Sequence, residues 1–269
     1  MTPDFPRSLT ISIKLDENPR YAGSTHDDAT ARRLGFRAAL IPGAFIYGHV
    51  SRIAIDAWGM AWAERGTIGM RFRRPVYNGD VLTVAAAAIA HHGAGVRADV
   101  MVRNAEGEDV AVGWIGLPDT APEPPALSDL PVLTLPDPRP EIAAGAMPVG
   151  ARIGTRNAIL TAEDIAASMA AFQETHPFYR EAGIVHSGCP MRLAMGDTNQ
   201  SFRFPAPVVL TAVEAQHFGT VRPGARLATS GMIAGDHERK GRHYFDSDEV
   251  VIADGNRVVA RYRRTQIYD

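Results

Sequence analysis

The chain has 269 residues, 45% hydrophobic and 22% charged, with a formal net charge of -2 at pH 7. That length admits one large core or two modest ones, two being the commoner arrangement, and a near-neutral charge without a basic block argues against a nucleic-acid partner. Cys189 is the single cysteine, which excludes an intrachain disulfide framework. No stretch approaches the roughly 18 apolar residues of a membrane span, and the opening MTPDFPRSL lacks the basic start and apolar run of a secretory signal, so a cytoplasmic protein with no membrane partner is expected.

In chain order, residues 9–15 alternate as a first strand. Asp16 to Gly23 reads as loop, because Pro19 forces Asn18 out of the helical region. A short helix over 29–34 follows, with Asp27 or Asp28 as its cap and Gly35 as its stop. The organising stretch is Gly43 to Trp58, GAFIYGHVSRIAIDAW. Ile46, Val50, Ile53, Ala54 and Ala57 recur at helical steps, and only His49, Arg52 and Asp56 form a polar stripe. A helix with so narrow a polar face must be covered on nearly every side. Strand-like segments follow at 67–72, 81–90, 96–102 and 110–116, with turns at Asn78-Gly79-Asp80 and Glu106-Gly107. One buried helix followed by an antiparallel meander predicts a sheet wrapped around that helix.

Residues 118–148 hold nine of the 19 prolines and show no periodicity, the composition of an extended linker. It separates units at 1–117 and 149–269, and the second repeats the first. Gly43 and Gly188 each open a helix, 145 residues apart, and Val76 to Gly79 with Leu82 matches Val221 to Gly224 with Leu227 at the same offset. Asp16 to Tyr21 matches Glu174 to Tyr179. A shared order at near-constant offset predicts a fused duplication. The second unit adds an acidic-start helix over 162–173 and has a shorter path from Tyr179 to Gly188.

The segments DENPRY, HDDATARRLGFRAALIPG and RFRRPVYNGDVLTV in the first unit carry a family resemblance, as do HPFYREAGIVHSG and VVARYRRTQIY in the second. The chain resembles the MaoC-like double hotdog superfamily of acyl dehydratases and (R)-specific enoyl-CoA hydratases over nearly all its length outside the linker. The resemblance implies an α+β fold of two hotdog units packed side by side, their sheets joined and both central helices on the concave side. It also implies a hydratase or dehydratase acting on a CoA-linked acyl thioester, in a homodimer or higher homo-oligomer. No cofactor is implied other than coenzyme A as part of the substrate. A thioesterase or another lyase, or a non-catalytic acyl-binding or scaffolding protein, is the alternative on the same fold.

The family's catalytic motif, D-x-N-P-x-H, lies some seventeen or eighteen residues ahead of a helix-opening glycine. This sequence fits it in two registers. Aligning on Asp16 and Asn18-Pro19 places Tyr21 at the histidine position, whereas counting back from Gly43 places His26 there. Hydrating an enoyl thioester needs a base for water, an acid for the α-carbon and a donor for the charge growing on the thioester oxygen. His26 is the first candidate for the base, Asp27 and Asp16 for its carboxylate partner, Tyr21 for a donor and Gly43 for the oxyanion N–H. The reserve site in the second unit comprises Glu174, His176, Tyr179, His186 and Gly188.

Other polar residues have plainer readings. His49, Arg52 and Asp56 suit an internal polar network, since a covered charge needs a partner. His91 and His92 suit a strand end, and His217 a strand facing an interface or pocket. His237, Arg239, Lys240, Arg242 and His243 form a basic hairpin, a solvated turn or a grip on coenzyme A phosphates. Cys189, next to a helix start that would lower its pKa, is more readily a packed thiol than a nucleophile. No spacing of His and Cys suggests a metal.

Overall fold

The computed structural model describes residue 5, residues 7–16 and residues 18–269, with only the backbone of Arg20. Glu17 of the Asp16-to-Tyr21 motif therefore lies outside the described residues. The first unit runs β1 (Arg7–Ser12), α1 (Asp28–Arg33), α2 (Gly43–Arg65), β2 (Thr67–Phe72), β3 (Val81–Ala86), β4 (Ala90–His91), β5 (Gly95–Arg103) and β6 (Asp109–Pro118). The second runs β7 (Arg152–Ile153), β8 (Ala158–Ile159), α3 (Ala162–Ala171), α4 (Phe178–Ala182), α5 (Gly188–Ser201), β9 (Val209–His217), β10 (Arg226–Arg239), β11 (Arg242–Ala253) and β12 (Arg257–Ile267).

All twelve strands form one sheet, with a main path β1-β3-β5-β6-β2-β9-β12-β11-β10-β7. The order is mirrored about the β2–β9 pair, which runs antiparallel from Thr67 opposite Gln216 to Arg71 opposite Ala212. The repeat seen in the sequence recurs as matched contacts. Ile41 N–H donates to the Val76 carbonyl at 2.8 Å, and Val185 N–H to the Val221 carbonyl at 2.8 Å. Gly79 and Gly224 take φ of 89° and 86°, a turn conformation that side-chain-bearing residues resist.

The expectation of two modest cores is corrected. One apolar cluster contains residues of both central helices and of both halves of the sheet, with two small satellites elsewhere. Pairing β2 to β9 leaves no sheet edge between the units, and α2 packs against α5, so the cores merge. Other boundaries shift. The strand expected over 81–90 divides into β3 and β4, and the first strand is 7–12 rather than 9–15. The helix expected to end at Trp58 continues to Arg65 across Gly59, whose φ of 52° breaks the helical backbone there. The proline-rich segment is held along the second unit, with Thr134 bridged to Thr155, Glu141 to Arg203, and Ile142 and Met147 buried.

The two central helices are pinned differently. In α5, Asp197, Thr198 and Ser201 are all buried and polar. Asp197 accepts from Thr155 Oγ1 at 2.8 Å and Arg156 Nε at 2.7 Å, and Ser201 Oγ accepts from Gly154 N–H at 2.9 Å. Thr198 joins the fully buried pair of Arg264 and Glu249, with Arg264 Nε 2.8 Å from Glu249 Oε2 and Arg264 Nη2 3.0 Å from Thr198 Oγ1. The polar stripe of α2 instead faces the second unit: Arg52 Nη1 meets Glu174 Oε1 at 2.8 Å, and Asp56 meets His176 Nε2 at 3.2 Å and Arg7 Nη2 at 2.7 Å. The network expected on this stripe is present, with Arg52 Nε 3.7 Å from Asp56 Oδ1, and it extends across the seam to Glu174 and His176 of the second unit.

Two buried histidines set an acid limit on this fold. Burial pushes His49 and His217 down to about 4 from the ordinary 6.5. His217 is held neutral between the Trp62 carbonyl, 3.1 Å from Nδ1, and the Tyr47 hydroxyl, 3.3 Å from Nε2. With folded values below unfolded ones, stability is complete above the unfolded pKa and is lost as pH falls from about 6.5 toward 4. Each histidine should cost about 2 kcal/mol at pH 5 relative to pH 7.5. Urea unfolding at the two pH values measures the loss, and His217→Asn should remove about 2 kcal/mol of it. An equal loss in the variant would refute it.

Candidate active site

The α2 start is built by the chain running into it. Leu40 N–H donates to the Thr25 carbonyl at 2.9 Å, and the Leu40 carbonyl lies 2.7 Å from His26 Nδ1. A carbonyl can only accept, so the neutral imidazole carries its proton on Nδ1 and its lone pair on Nε2. Tyr21, buried, sets its ring edge against His26 with centroids 5.6 Å apart, and its hydroxyl donates to Asp16 Oδ1 at 2.6 Å. Asp16, Tyr21 and His26 thus form one cluster, although the motif allowed either Tyr21 or His26 at the histidine position.

Asp27, offered as a carboxylate partner, is instead the cap of α1. Its Oδ2 accepts from Thr30 N–H at 3.0 Å, and its contacts with Thr30 lower its pKa. The carboxylate is committed to an orphan helix donor, which is the other role its position suggested.

His26 and Gly43 line a cleft of about 1110 Å³. Thr25, Phe36, Ile46 and Phe72 of the first unit share its wall with Met195, Asn199 and Leu210 of the second. At the start of α2 the Phe45 N–H already donates to the Pro42 carbonyl at 2.8 Å, which leaves the Gly43 N–H ahead of the first backbone bond of the helix, and the helix dipole makes that end positive. The β10–β11 hairpin brings His237, Arg239, Lys240 and Arg242 to the same cleft. His243 does not join them; its Nδ1 lies 2.5 Å from Asp269 Oδ2, and that contact raises its pKa.

The corresponding helix start in the second unit is shut. Gly188 N–H donates to His186 Nδ1 at 3.0 Å, so this imidazole's lone pair is already engaged and its proton sits on Nε2. His186 is 0% exposed, and burial lowers its pKa. Its Nε2 lies 3.7 Å from Glu174 Oε2. Burial by itself would raise Glu174, but His186, the His176 N–H and Arg52 outweigh it and hold the carboxyl below its usual range. Phe172 stacks on His186 with centroids 4.5 Å apart, and a Cβ on Gly188 would come within 2.5 Å of its ring. Tyr179 packs on the other side at 4.6 Å. His176 caps a turn, accepting the Phe178 N–H on Nδ1 at 3.0 Å while Nε2 faces Asp56. A space of about 20 Å³ beside Tyr179 and Ser187 is the size of a single water.

The helix dipole expected to lower the Cys189 pKa is overridden. Burial pushes the thiol up to about 11, so it is a packed thiol and not a nucleophile. Leu40 and Phe172 are the residues that sequence reasoning missed. Neither has polar chemistry to flag it: Leu40 acts through its carbonyl, and Phe172 through its ring.

Among the described residues no three His, Cys, Asp or Glu side chains are placed to hold a metal ion, and no helix is long and apolar enough to cross a membrane. No protein-family model matches the sequence, and no curated protein does. Solved structures match in three dimensions. A Mycobacterium tuberculosis protein described as having a double hotdog fold superposes with a TM-score of 0.65 at 16% identity, covering 98% of this chain and 96% of its own. A Chloroflexus aurantiacus protein designated a MaoC domain protein dehydratase gives 0.64 at 15% identity, over 98% and 95% of the two chains. Another, designated a MaoC-like dehydratase, gives 0.60 at 14% identity, over 97% and 98%. At these identities the likeness establishes the double hotdog fold.

Proposed function

We propose that this protein is a hydro-lyase that adds water to, or removes it from, an acyl thioester at the α2 start. The observation that carries this reading is His26, its Nδ1–H fixed on the Leu40 carbonyl and its Nε2 basic, at the same open cleft as Gly43. In the hydration direction Nε2 takes a proton from water as the hydroxide adds to the β-carbon. The electron pair moves onto the thioester oxygen, whose charge rests on the N–H groups of the first turn of α2. The imidazolium then returns its proton to the α-carbon, so one water is consumed and His26 is regenerated. Tyr21 and Asp16 support the imidazolium from the side. Arg239, Lys240 and Arg242 support a phosphate-bearing carrier, so the substrate is read as CoA-linked; coenzyme A enters only as part of it.

The oxyanion role is tested at Gly43. Pro42 has φ -56° and ψ 134°, a conformation that tolerates a following proline, and proline is accepted at the first helical position. Gly43→Pro therefore deletes one N–H with little demand on the backbone. A Cβ there meets Leu210 Cδ2 at 3.1 Å and the Phe72 ring at 3.2 Å, so Gly43→Ala carries similar crowding but keeps the donor. Turnover of an enoyl-CoA should fall about 10²–10³-fold in the proline variant and far less in the alanine variant. Equal activity in the two would remove Gly43 from the mechanism. Release of free thiol without a hydrated product would reassign the cleft to thioester hydrolysis. Saturable stabilisation by acyl-CoA without turnover would make it a binding protein.

A further inference from the structure

The cleft at the α2 start has an exposed mouth and a buried end. Leu40, Ile41, Ile46 and Val76 of the first unit are buried apolar parts of its wall. Among the described residues, Gln266 of β12 is the only buried residue that the second unit adds to that wall, at 1% exposed. A carboxamide thus stands at the end of the cleft where every other buried neighbour named here is hydrocarbon. The β9–β12 ladder shifts register between Thr265 and Gln266, a bulge of the kind that re-aims a side chain. Gln266 then lies opposite Leu210, whose Cδ2 would be 3.1 Å from a Cβ on Gly43. Opposed residues of an antiparallel pair carry their Cβ atoms about 5 Å apart on one face, so the amide is within a few carbons' length of the helix start.

Arg264 fixes which way the amide points. Its Nε donates to Glu249 Oε2 at 2.8 Å, and a guanidinium can only donate, so the amide atom facing it, 3.4 Å from Nη1, is Oε1. The other end, Nε2, is buried and has no hydrogen-bond partner. Buried donors are nearly always paired, so a free one on the wall of a cleft calls for an acceptor. The charge of Arg264 is already balanced by the equally buried Glu249. This end of the cleft therefore offers a donor without a spare cation, and a buried carboxylate would need one. An uncharged oxygen would not.

We propose that Gln266 Nε2 donates to an uncharged oxygen, a hydroxyl or ketone, carried on the acyl chain beyond the reacting carbons, so that the substrate is an oxygenated acyl thioester and not a plain alkyl one. The inference rests on the hydro-lyase reading of the same cleft and names the substrate class for it. Leu40, Ile41, Ile46 and Val76 take the carbon chain, and its oxygen pairs the amide that a plain chain would leave unpaired. Met195 of α5 forms part of the same wall, and an unbranched thioether moves aside readily, so the chain reaches the amide without a change in the backbone.

Turnover of trans-2-hexenoyl-CoA, of its 5-hydroxy and 5-oxo derivatives and of the mono-CoA thioester of trans-2-hexenedioate tests this, with calorimetric titration of the saturated counterparts. A hydroxyl or ketone chain should be favoured over the plain one about 10–100-fold, through KM and Kd more than kcat. Gln266→Met removes the donor from an unbranched side chain of similar length and should erase that preference. Gln266→Glu keeps an oxygen toward Arg264 while replacing the donor, serves if the methionine variant does not fold, and should erase it too. A preference that survives both substitutions in folded protein overturns the proposal, as does unaltered protein that favours the plain chain or the carboxylate. Selective binding of the saturated oxygenated chains without any turnover would keep this inference and overturn the hydro-lyase reading. Turnover without selectivity would do the reverse.

Discussion

His26→Ala should lower turnover of an enoyl thioester by about 10²–10⁴-fold, the range attributable to one positioned general base. The ring is half-buried, and its bond to the Leu40 carbonyl is worth about 1 kcal/mol of stability. The folded variant can therefore be assayed. The informative contrast is His186→Ala. His186 is fully buried between Phe172 and Tyr179 and caps its own helix start. Its removal should destabilise the protein yet leave turnover per folded molecule nearly unchanged. If instead His186→Ala abolishes turnover while His26→Ala does not, the active unit has been assigned to the wrong half.

The second large effect is on stability. Arg264→Met should destabilise the protein by about 3–5 kcal/mol, because it strands Glu249 without its cation at a site where both side chains are 0% exposed. Thr198 would remain beside Glu249, but a hydroxyl does not replace a guanidinium. For a chain of this size the thermal midpoint should fall by roughly 10 °C. The double variant Arg264→Met/Glu249→Leu should recover most of that loss, since replacing both members of a buried pair by apolar groups is often neutral. A double variant as unstable as the single one would show that the pair does more than satisfy itself, for instance by fixing the register of β11 against β12 around α5.

Much of the architecture was legible because it rests on short-range requirements. Gly43 opens a helix whose apolar stripe is visible at steps of three and four, and Asp27 sits where a cap belongs. Gly79 and Gly224 mark turns whose backbone excludes other residues, so the repeat shows through even though the two units share few side chains. The helix overran its expected end because Gly59 interrupts the backbone without ending the packing beyond it, where Trp62 is fully buried. The merged core could not be read from either unit alone, since each apolar face is equally suited to closing on itself.

The sequence by itself determined the duplication, the two helix starts and the set of residues able to do acid–base chemistry there. Tertiary structure alone decided which start is open. That choice depends on Phe172, sixteen residues ahead of Gly188. α3 and the Gln173 amide, which accepts from Lys14 N–H and donates to the Ser12 carbonyl, hold its ring over one helix end, while His26 is held at the other by a carbonyl fourteen residues away. Local propensity cannot encode such a difference, because it is made by contacts between segments that meet only when the sheet has closed.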